Sequence, residues 1–185
     1  IATGTVVNFN GGTHTLNAGA DFTGTGTYNV GTTVTVSGTL NTSFLNFSSG
    51  LLNGVGVVTV NDTMNWTGGS MNVGGAGSLT IPAGKALNIS GTAAKNSSAG
   101  VLNNAGTTTW TGTGNITVTN GAVINNQATG VFDIQTDADI SYDNGGAFPA
   151  FNNAGLLKKT AGAGDTVIGS GTGFPFNNSS TLDIQ

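Results

Sequence analysis

Several residue types that most soluble domains use freely are scarce or missing in this chain of 185 residues. It has no cysteine, glutamate or arginine, and only three prolines, four lysines and one histidine. Without cysteine it cannot form disulfides or thiolate metal sites, which is compatible with secretion. A net charge of −4 without clustered cations argues against nucleic acid as a partner. No apolar run approaches the roughly 20 residues of a membrane span, so we expect no membrane insertion.

Glycine and uncharged polar residues replace the missing charges. The chain contains 32 glycines and 37% hydrophobic residues, but only 6% charged ones. Gly, Asn and Thr are poor helix formers, whereas Thr and Val favour strands and Gly and Asn suit turns. The composition therefore predicts an all-β chain with many turns. A disordered chain is the alternative for so glycine-rich a sequence, but nine phenylalanines and regular apolar alternation argue against it.

Short strand patterns recur from one end of the chain to the other. Residues 33–36, 57–60 and 131–134 alternate apolar and polar side chains, as strands with one buried face do. Turn pairs such as Gly68-Gly69 and Asn120-Gly121 separate them, with no helical pattern between. This excludes a doubly wound α/β sheet and leaves a β-sandwich or a β-solenoid.

An apolar residue followed by two asparagines occurs four times in the second half of the chain. The first asparagines of these pairs are Asn103, Asn125, Asn152 and Asn177, which are 22, 27 and 25 residues apart. Such spacing suits a coil of about three short strands. We therefore predict a right-handed parallel β-helix of roughly eight coils of about 20–27 residues, spanning 1–185 as a single segment of a longer rod. Coil boundaries within 1–52 are not readable.

The asparagine pairs are predicted to mark a corner of each coil. Asparagine tolerates left-handed backbone angles, and its amide can both donate to and accept from an identical amide one coil away. We therefore expect a structural asparagine ladder. Its members are Asn103, Asn125, Asn152 and Asn177.

Four runs in the chain are similar to repeats of a known class of protein. They are 65–71 (Asn-Trp-Thr-Gly-Gly-Ser-Met), 79–91, 102–112 and 121–127. They resemble repeats of large secreted bacterial β-solenoid proteins, which are adhesin-like or autotransporter-passenger-like and have a pectin-lyase-like right-handed β-helix. The resemblance covers most of the chain, is closest from about Thr59 to the end, and is looser from Ile1 to about Leu52. It implies an extracellular location at the cell surface.

Aspartates on one outward strand face are the candidates for chemistry. Asp133, Asp137 and Asp139 have strand spacing and are weak candidates for binding Ca²⁺ or for acid–base catalysis. They lack an obvious cationic partner, and Lys158-Lys159 is interpreted as a solubility feature. We therefore nominate no catalytic residue and no cofactor, and expect the protein not to be an enzyme. The carboxylates are expected to be a solvated edge.

Two kinds of surface binding remain open. Trp66 and Trp110 precede Thr-Gly in similar contexts and could stack on sugar rings, although a tryptophan in a solenoid more often fills the core. Thr-x-Thr pairs such as Thr13-His14-Thr15 and Thr33-Val34-Thr35 could order water on a flat face and bind ice. Their uneven spacing favours an ordinary wet strand face.

The sequence as a whole predicts a structural or adhesive extracellular rod. A solenoid section leaves unpaired backbone at both ends, so we expect it to stack head to tail on copies of itself or on neighbouring coils of a longer chain. Surface glycans are further expected partners. The alternative functions are a carbohydrate-binding module, with a carbohydrate-degrading one favoured less, and an ice-binding solenoid.

Overall fold

The structure, a computed structural model, describes residues 1–143, 145–170 and 173–185. Within these ranges the chain forms 22 strands and no helix. The strands are β1 (Val6–Phe9), β2 (Thr13–Leu16), β3 (Phe22–Val30), β4 (Thr33–Val36), β5 (Thr39–Phe47), β6 (Leu51–Gly54), β7 (Val57–Trp66), β8 (Gly69–Val73), β9 (Ser78–Ile81), β10 (Ala86–Ile89), β11 (Lys95–Ser98), β12 (Val101–Asn104), β13 (Thr107–Trp110), β14 (Ile116–Thr119), β15 (Val123–Asn126), β16 (Val131–Ile134), β17 (Ile140–Tyr142), β18 (Ala150–Asn153), β19 (Leu156–Lys159), β20 (Ile168–Ser170), β21 (Phe176–Asn178) and β22 (Thr181–Ile184).

The strands stack in parallel into three faces. Face A contains the first parts of β3, β5 and β7, followed by β9, β12, β15, β18 and β21. Face B contains β1, the second halves of β3, β5 and β7, and then β10, β13, β16, β19 and β22. Face C contains β2, β4, β6, β8, β11, β14, β17 and β20. Faces A and B form one 14-stranded sheet because β3, β5 and β7 run through both.

This arrangement is a parallel β-solenoid of about eight coils, as predicted. Along face B the first residues of stacked strands are 21, 17, 19, 23, 21, 24, 25 and 25 residues apart. The 17- and 19-residue coils are shorter than the predicted range. In these coils a single long strand passes from face A to face B, so the loop that separates β9 from β10 has no counterpart. This explains why boundaries within 1–52 were not readable.

Inward side chains of the three faces meet in one apolar core that follows the axis. One face-B column, meaning residues stacked one coil apart, illustrates it: Val30, Phe47, Trp66, Ile89, Trp110 and Ile134. All six are buried. Removing each such side chain from water contributes about 1.5–3 kcal/mol to folding. The core is therefore the main source of stability, shared among all coils.

One charge lies inside this core. Lys95 on β11 has no solvent exposure, and its Nζ donates to the Gly91 carbonyl at 3.1 Å. Burial lowers the pKa of Lys95, because the charged ammonium loses its hydration.

The corners between faces are tight. A Cβ at Gly112 would clash with the carbonyl oxygen of Gly91 one coil below, and a Cβ at Gly54 would clash with the Val36 carbonyl. Gly54 also has a φ of 118°, which side chains with a Cβ rarely adopt. Glycine is therefore required here by the close stacking of successive coils.

Candidate functional site

The predicted asparagines lie in one outward column of face A. Asn125 donates from Nδ2 to Oδ1 of Asn103 at 2.9 Å, Asn152 to Asn125 at 2.9 Å, and Asn177 to Asn152 at 2.8 Å. Every donor thus points toward the N-terminal end of the solenoid. The backbone explanation for these asparagines was wrong. They lie inside strands, and the described non-glycine residues with positive φ are Ala99 and Asn120, so extended strand geometry is what aligns the amides.

The second asparagine of each pair forms an inner ladder that sequence reasoning missed. Asn104, Asn126 and Asn153 point into the corner and are fully buried. Asn104 Nδ2 donates to Asn126 Oδ1 at 2.9 Å, Asn126 to Asn153 at 2.7 Å, and Asn153 to Asn178 at 2.7 Å. Asn126 Nδ2 also donates to the Leu156 carbonyl at 3.0 Å. These donors point toward the C-terminal end, opposite to the outer ladder, and connect the corner to face B of the next coil.

A third ladder occupies the outward column of face B in the N-terminal half. Each asparagine donates to the preceding one, at N···O distances of 2.7–2.9 Å. The members are Asn8, Asn29, Asn46, Asn65 and Asn88. Each stands between two apolar residues, as in Leu45-Asn46-Phe47. That recurring apolar-Asn-apolar tripeptide was the signal available in the sequence.

The same column continues with different chemistry in the C-terminal half. After Asn88 it runs through Thr109, Asp133, Lys158 and Asp183. Lys158 Nζ lies 3.2 Å from Asp133 Oδ2, so Lys158 is an ion-pair partner and not merely a solubility feature. Burial raises the pKa of Asp133, but hydrogen bonds from Thr160, Gln135 and Lys158 outweigh it and hold the pKa below its usual value.

The three aspartates considered as weak calcium ligands each bond to a different set of protein groups. Asp133 is 6% exposed and bonded as above, so it is not a solvated edge. Asp137 Oδ1 pairs with Lys159 Nζ at 2.9 Å, and this hydrogen bond lowers the pKa of Asp137. Asp139 Oδ1 accepts from the Val167 backbone N–H at 2.8 Å. Across the ranges that the structure describes, no three His, Cys, Asp or Glu side chains converge on one point.

The tryptophans proposed for glycan stacking face the core. Trp66 is 1% exposed and Trp110 is fully buried, so neither ring presents a face to a sugar. Trp66 Nε1 donates to the Gly68 carbonyl at 3.0 Å. Both indoles lie in the same inward column as Phe47 and Ile134.

The two threonine pairs proposed for ice binding form a short array on face C. Thr13 and Thr15 stack on Thr33 and Thr35. In the following coil these positions are Leu51 and Asn53, so the array ends after two coils there.

A polar groove runs along the N-terminal half of face B beside the asparagine ladder. Its lining is uncharged: Asn8, Asn10, Asn29, Asn46, Ser48, Asn65, Thr67 and Ser90. Within a ladder, each amide donates one of its two N–H groups to one neighbour and accepts one hydrogen bond from the other. Its second N–H group and the second lone pair of its oxygen are therefore available to a ligand.

The two ends of the solenoid expose apolar core positions. At the N-terminal end the core positions Val7 and Phe9 are only partly buried. At the C-terminal end Leu182 is 48% and Ile184 71% exposed. In between, equivalent positions are covered by the next coil.

No family model, curated protein or solved structure matches the chain. The fold by itself defines the class: a β-solenoid repeat protein built from parallel coils. In the described part of the chain, no helix is long and apolar enough to cross a membrane.

Proposed function

We propose that this chain is a section of a stiff extracellular rod with a structural or adhesive role at the cell surface. The observation that carries the proposal is the continuity of its columns. Asparagine ladders on faces A and B and one apolar core follow the axis from coil to coil. Eight coils spaced by about 4.8 Å correspond to a rod roughly 40 Å long.

The use of the polar groups supports a mechanical role. Asparagine amides bond to amides in adjacent coils, and Asp133 and Asp137 are bonded to Lys158 and Lys159 one coil further on. Such bonds resist separation of coils along the axis, because extension has to break backbone ladders and side-chain bonds together. A surface rich in Thr, Asn and Ser and the lack of cysteine are compatible with an oxidising extracellular environment.

Single-molecule pulling tests the mechanical part of this proposal. A chain held between residues 1 and 185 should unfold in successive steps of about one coil, because each coil contacts mainly its neighbours. Collapse of the whole chain in one low-force event would contradict it. Antibody labelling of intact source cells tests the location, and labelling only after permeabilisation would reject a surface role.

The groove on face B favours a second candidate function, binding of a neutral polysaccharide. An uncharged, hydroxyl-rich polymer matches the repeating donors and acceptors of Asn8 to Asn65. Replacing both Asn46 and Asn65 with alanine should reduce signals on a glycan array, whereas Asn152→Ala on face A should not. Equal binding by the two variants would exclude the groove as the site.

A further inference from the structure

Phe44 is a large aromatic residue that the core does not use. Of the nine phenylalanines in the chain, seven lie in the apolar core or pack against it, and Phe148 pairs with Tyr142 at a ring-centroid distance of 5.9 Å. Within the described ranges, Phe44 is in neither group. It precedes the buried Leu45 in β5, so its side chain points outward on face B, as that of Asn46 does. The ring therefore calls for a role outside the core.

The neighbours of Phe44 in its own column are hydroxyl residues. Thr27 lies one coil before it and Thr63 one coil after it. Farther along the same column, Val131 and Leu156 stack on each other, so each covers part of the other's apolar surface. Phe44 is partly exposed and has no such apolar neighbour in the coil before or after it. Its ring is thus an isolated apolar surface on the outside of face B.

This ring borders the polar groove of face B. Phe44 precedes the groove residue Asn46 by two positions, so their Cα atoms are roughly 6.5 Å apart along the strand. Asn46 Nδ2 donates to Asn29 Oδ1 at 2.9 Å, and Asn46 Oδ1 accepts from Asn65 Nδ2 at 2.8 Å. One N–H group and one lone pair of Asn46 remain free. An apolar ring and a line of free amide groups therefore lie side by side.

A pyranose sugar has the matching pair of surfaces. Its C–H groups form an apolar face and its hydroxyls form a polar rim, so it can stack on an aromatic ring while its hydroxyls bond to neighbouring amides. The ladder amides recur about every 4.8 Å along the axis, close to the length of one residue in an extended β-1,4-linked chain. The residues that line the groove are uncharged, so they offer no partner to the carboxylates of a uronate polymer. An extended neutral hexose chain is therefore the ligand class that fits.

We propose that a neutral β-1,4-linked hexopyranose chain lies along the axis on face B and stacks one of its sugar rings on Phe44. Asn46 and Asn65 then bond to the hydroxyls of that sugar and of the next one. The lining runs from Asn8 to Ser90, through the coils of the asparagine ladder, so a hexasaccharide is long enough to span it. This inference rests on the proposed polysaccharide binding and adds the stacking residue, the linkage and the direction of the bound chain.

Isothermal titration calorimetry of the 185-residue chain with three hexasaccharides tests the proposal. Cellohexaose and mannohexaose are the neutral probes, and hexamannuronate is the anionic counterpart of mannohexaose with the same β-1,4 linkage. The wild type should bind at least one neutral probe and bind hexamannuronate at least tenfold more weakly. Phe44→Thr, which introduces the residue of both column neighbours, should weaken binding of the neutral probe about tenfold or more. Equal binding of hexamannuronate, or no binding of either neutral probe, would overturn the proposal.

Further variants separate ring stacking from side-chain bulk and from the groove itself. Phe44→Leu keeps a large apolar side chain without a ring and should bind as weakly as Phe44→Thr, whereas Phe44→Trp should keep or exceed wild-type affinity. Leu156→Thr, the equivalent change in the same column of the charged half, is the matched control and should leave binding unchanged. Thermal unfolding of each variant shows that it folds.

Two outcomes would reject Phe44 alone. Binding that is lost in Asn46→Ala/Asn65→Ala but unchanged in Phe44→Thr would keep the groove as the polysaccharide site and overturn the stacking on Phe44. Wild-type affinity in Phe44→Leu would likewise show that no ring is needed. The pulling experiment judges the rod function separately.

Discussion

The outward column of face B is built with two chemistries, one in each half of the molecule. From Asn8 to Asn88 it is a neutral amide ladder, and from Asp133 to Asp183 it consists of charged residues of alternating sign. An amide both donates and accepts, so identical amides stack without limit. Carboxylates only accept and ammonium groups only donate, so charged residues have to alternate. Thr109 lies at the boundary between the two regimes.

The amide half and the charged half of the column should respond differently to pH and salt. The amide ladder carries no titratable group, so its hydrogen bonds persist from acid to alkaline pH. The charged half depends on the ionisation of Asp133 and on salt, since partly exposed pairs are screened. This face-B column thus combines a pH-independent half with a pH- and salt-sensitive half, and substitutions in each half should behave differently.

Removing an amide from the buried inner ladder should have the largest effect. Asn126→Ala deprives Asn153 Oδ1 and the Leu156 carbonyl of their donor and Asn104 Nδ2 of an acceptor, all in a buried corner. We expect a loss of about 3 kcal/mol in the free energy of unfolding, measured by denaturant titration. The matched control is Asn125→Ala in the half-exposed outer ladder, which should cost about 1 kcal/mol. Equal losses would show that burial does not distinguish the ladders.

Reversing the charge in the ionic half should have the next largest effect. Lys158→Glu places acidic groups at three successive positions, with Asp133 and Asp183 on either side. We expect a loss of roughly 2 kcal/mol in the free energy of unfolding. The loss is smaller than for a fully buried pair because the Lys158–Asp133 pair is partly exposed.

The double variant Asp133→Asn/Lys158→Asn sharpens the same comparison. It converts the ionic pair to an amide ladder and should restore stability to within about 1 kcal/mol of wild type. A double variant as unstable as Lys158→Glu would mean that the two chemistries are not interchangeable in this column.

The sequence was sufficient to predict the solenoid because its signals are local and repeated. The spacing of Asn103, Asn125, Asn152 and Asn177 reports the coil length directly, and their ladder could be anticipated. The face-B ladder was harder to recognise, because each of its repeats is a single asparagine between two apolar residues, as at Asn46, in a chain that is rich in asparagine throughout. The inner ladder was missed because strand alternation puts Asn104 on the side opposite to Asn103.

The pairing of charges could not be predicted because it depends on register. Lys158 reaches Asp133 only because the intervening loops make that coil 25 residues long on face B. A coil one residue longer would have exchanged inward and outward positions. The burial of Trp66 likewise follows from its register with Phe47, which the short early coils obscured.

Lys95 is a buried basic residue that belongs neither to the amide ladders nor to the charged half of the face-B column. Its only hydrogen-bond acceptor among the described residues is the Gly91 carbonyl, so Lys95→Met should raise the free energy of unfolding by about 1–2 kcal/mol at pH 7. Because its pKa is lowered in the folded state, the unfolded chain binds more protons between that pKa and 10.5. Wild-type stability should therefore rise with pH across this window, and the Lys95→Met variant should lack that rise. Identical alkaline profiles would show that Lys95 is protonated equally in both states.

Acidification should change folding stability least of all, and only through the charged half of the face-B column. The pKa of Asp133 is lowered by folding, so its contribution is complete above the unfolded value of 3.8 and is lost as pH falls through the folded value. Asp133→Asn should thus be less stable than wild type at pH 7, by no more than about 1 kcal/mol. The gap should close in acid, where a protonated aspartate resembles asparagine. Asn65→Ala in the neutral half should instead keep a constant deficit from pH 7 into acid, because its amide partners do not titrate. If the Asn65→Ala deficit also closed in acid, the division of this column into a pH-independent half and a pH- and salt-sensitive half would not hold.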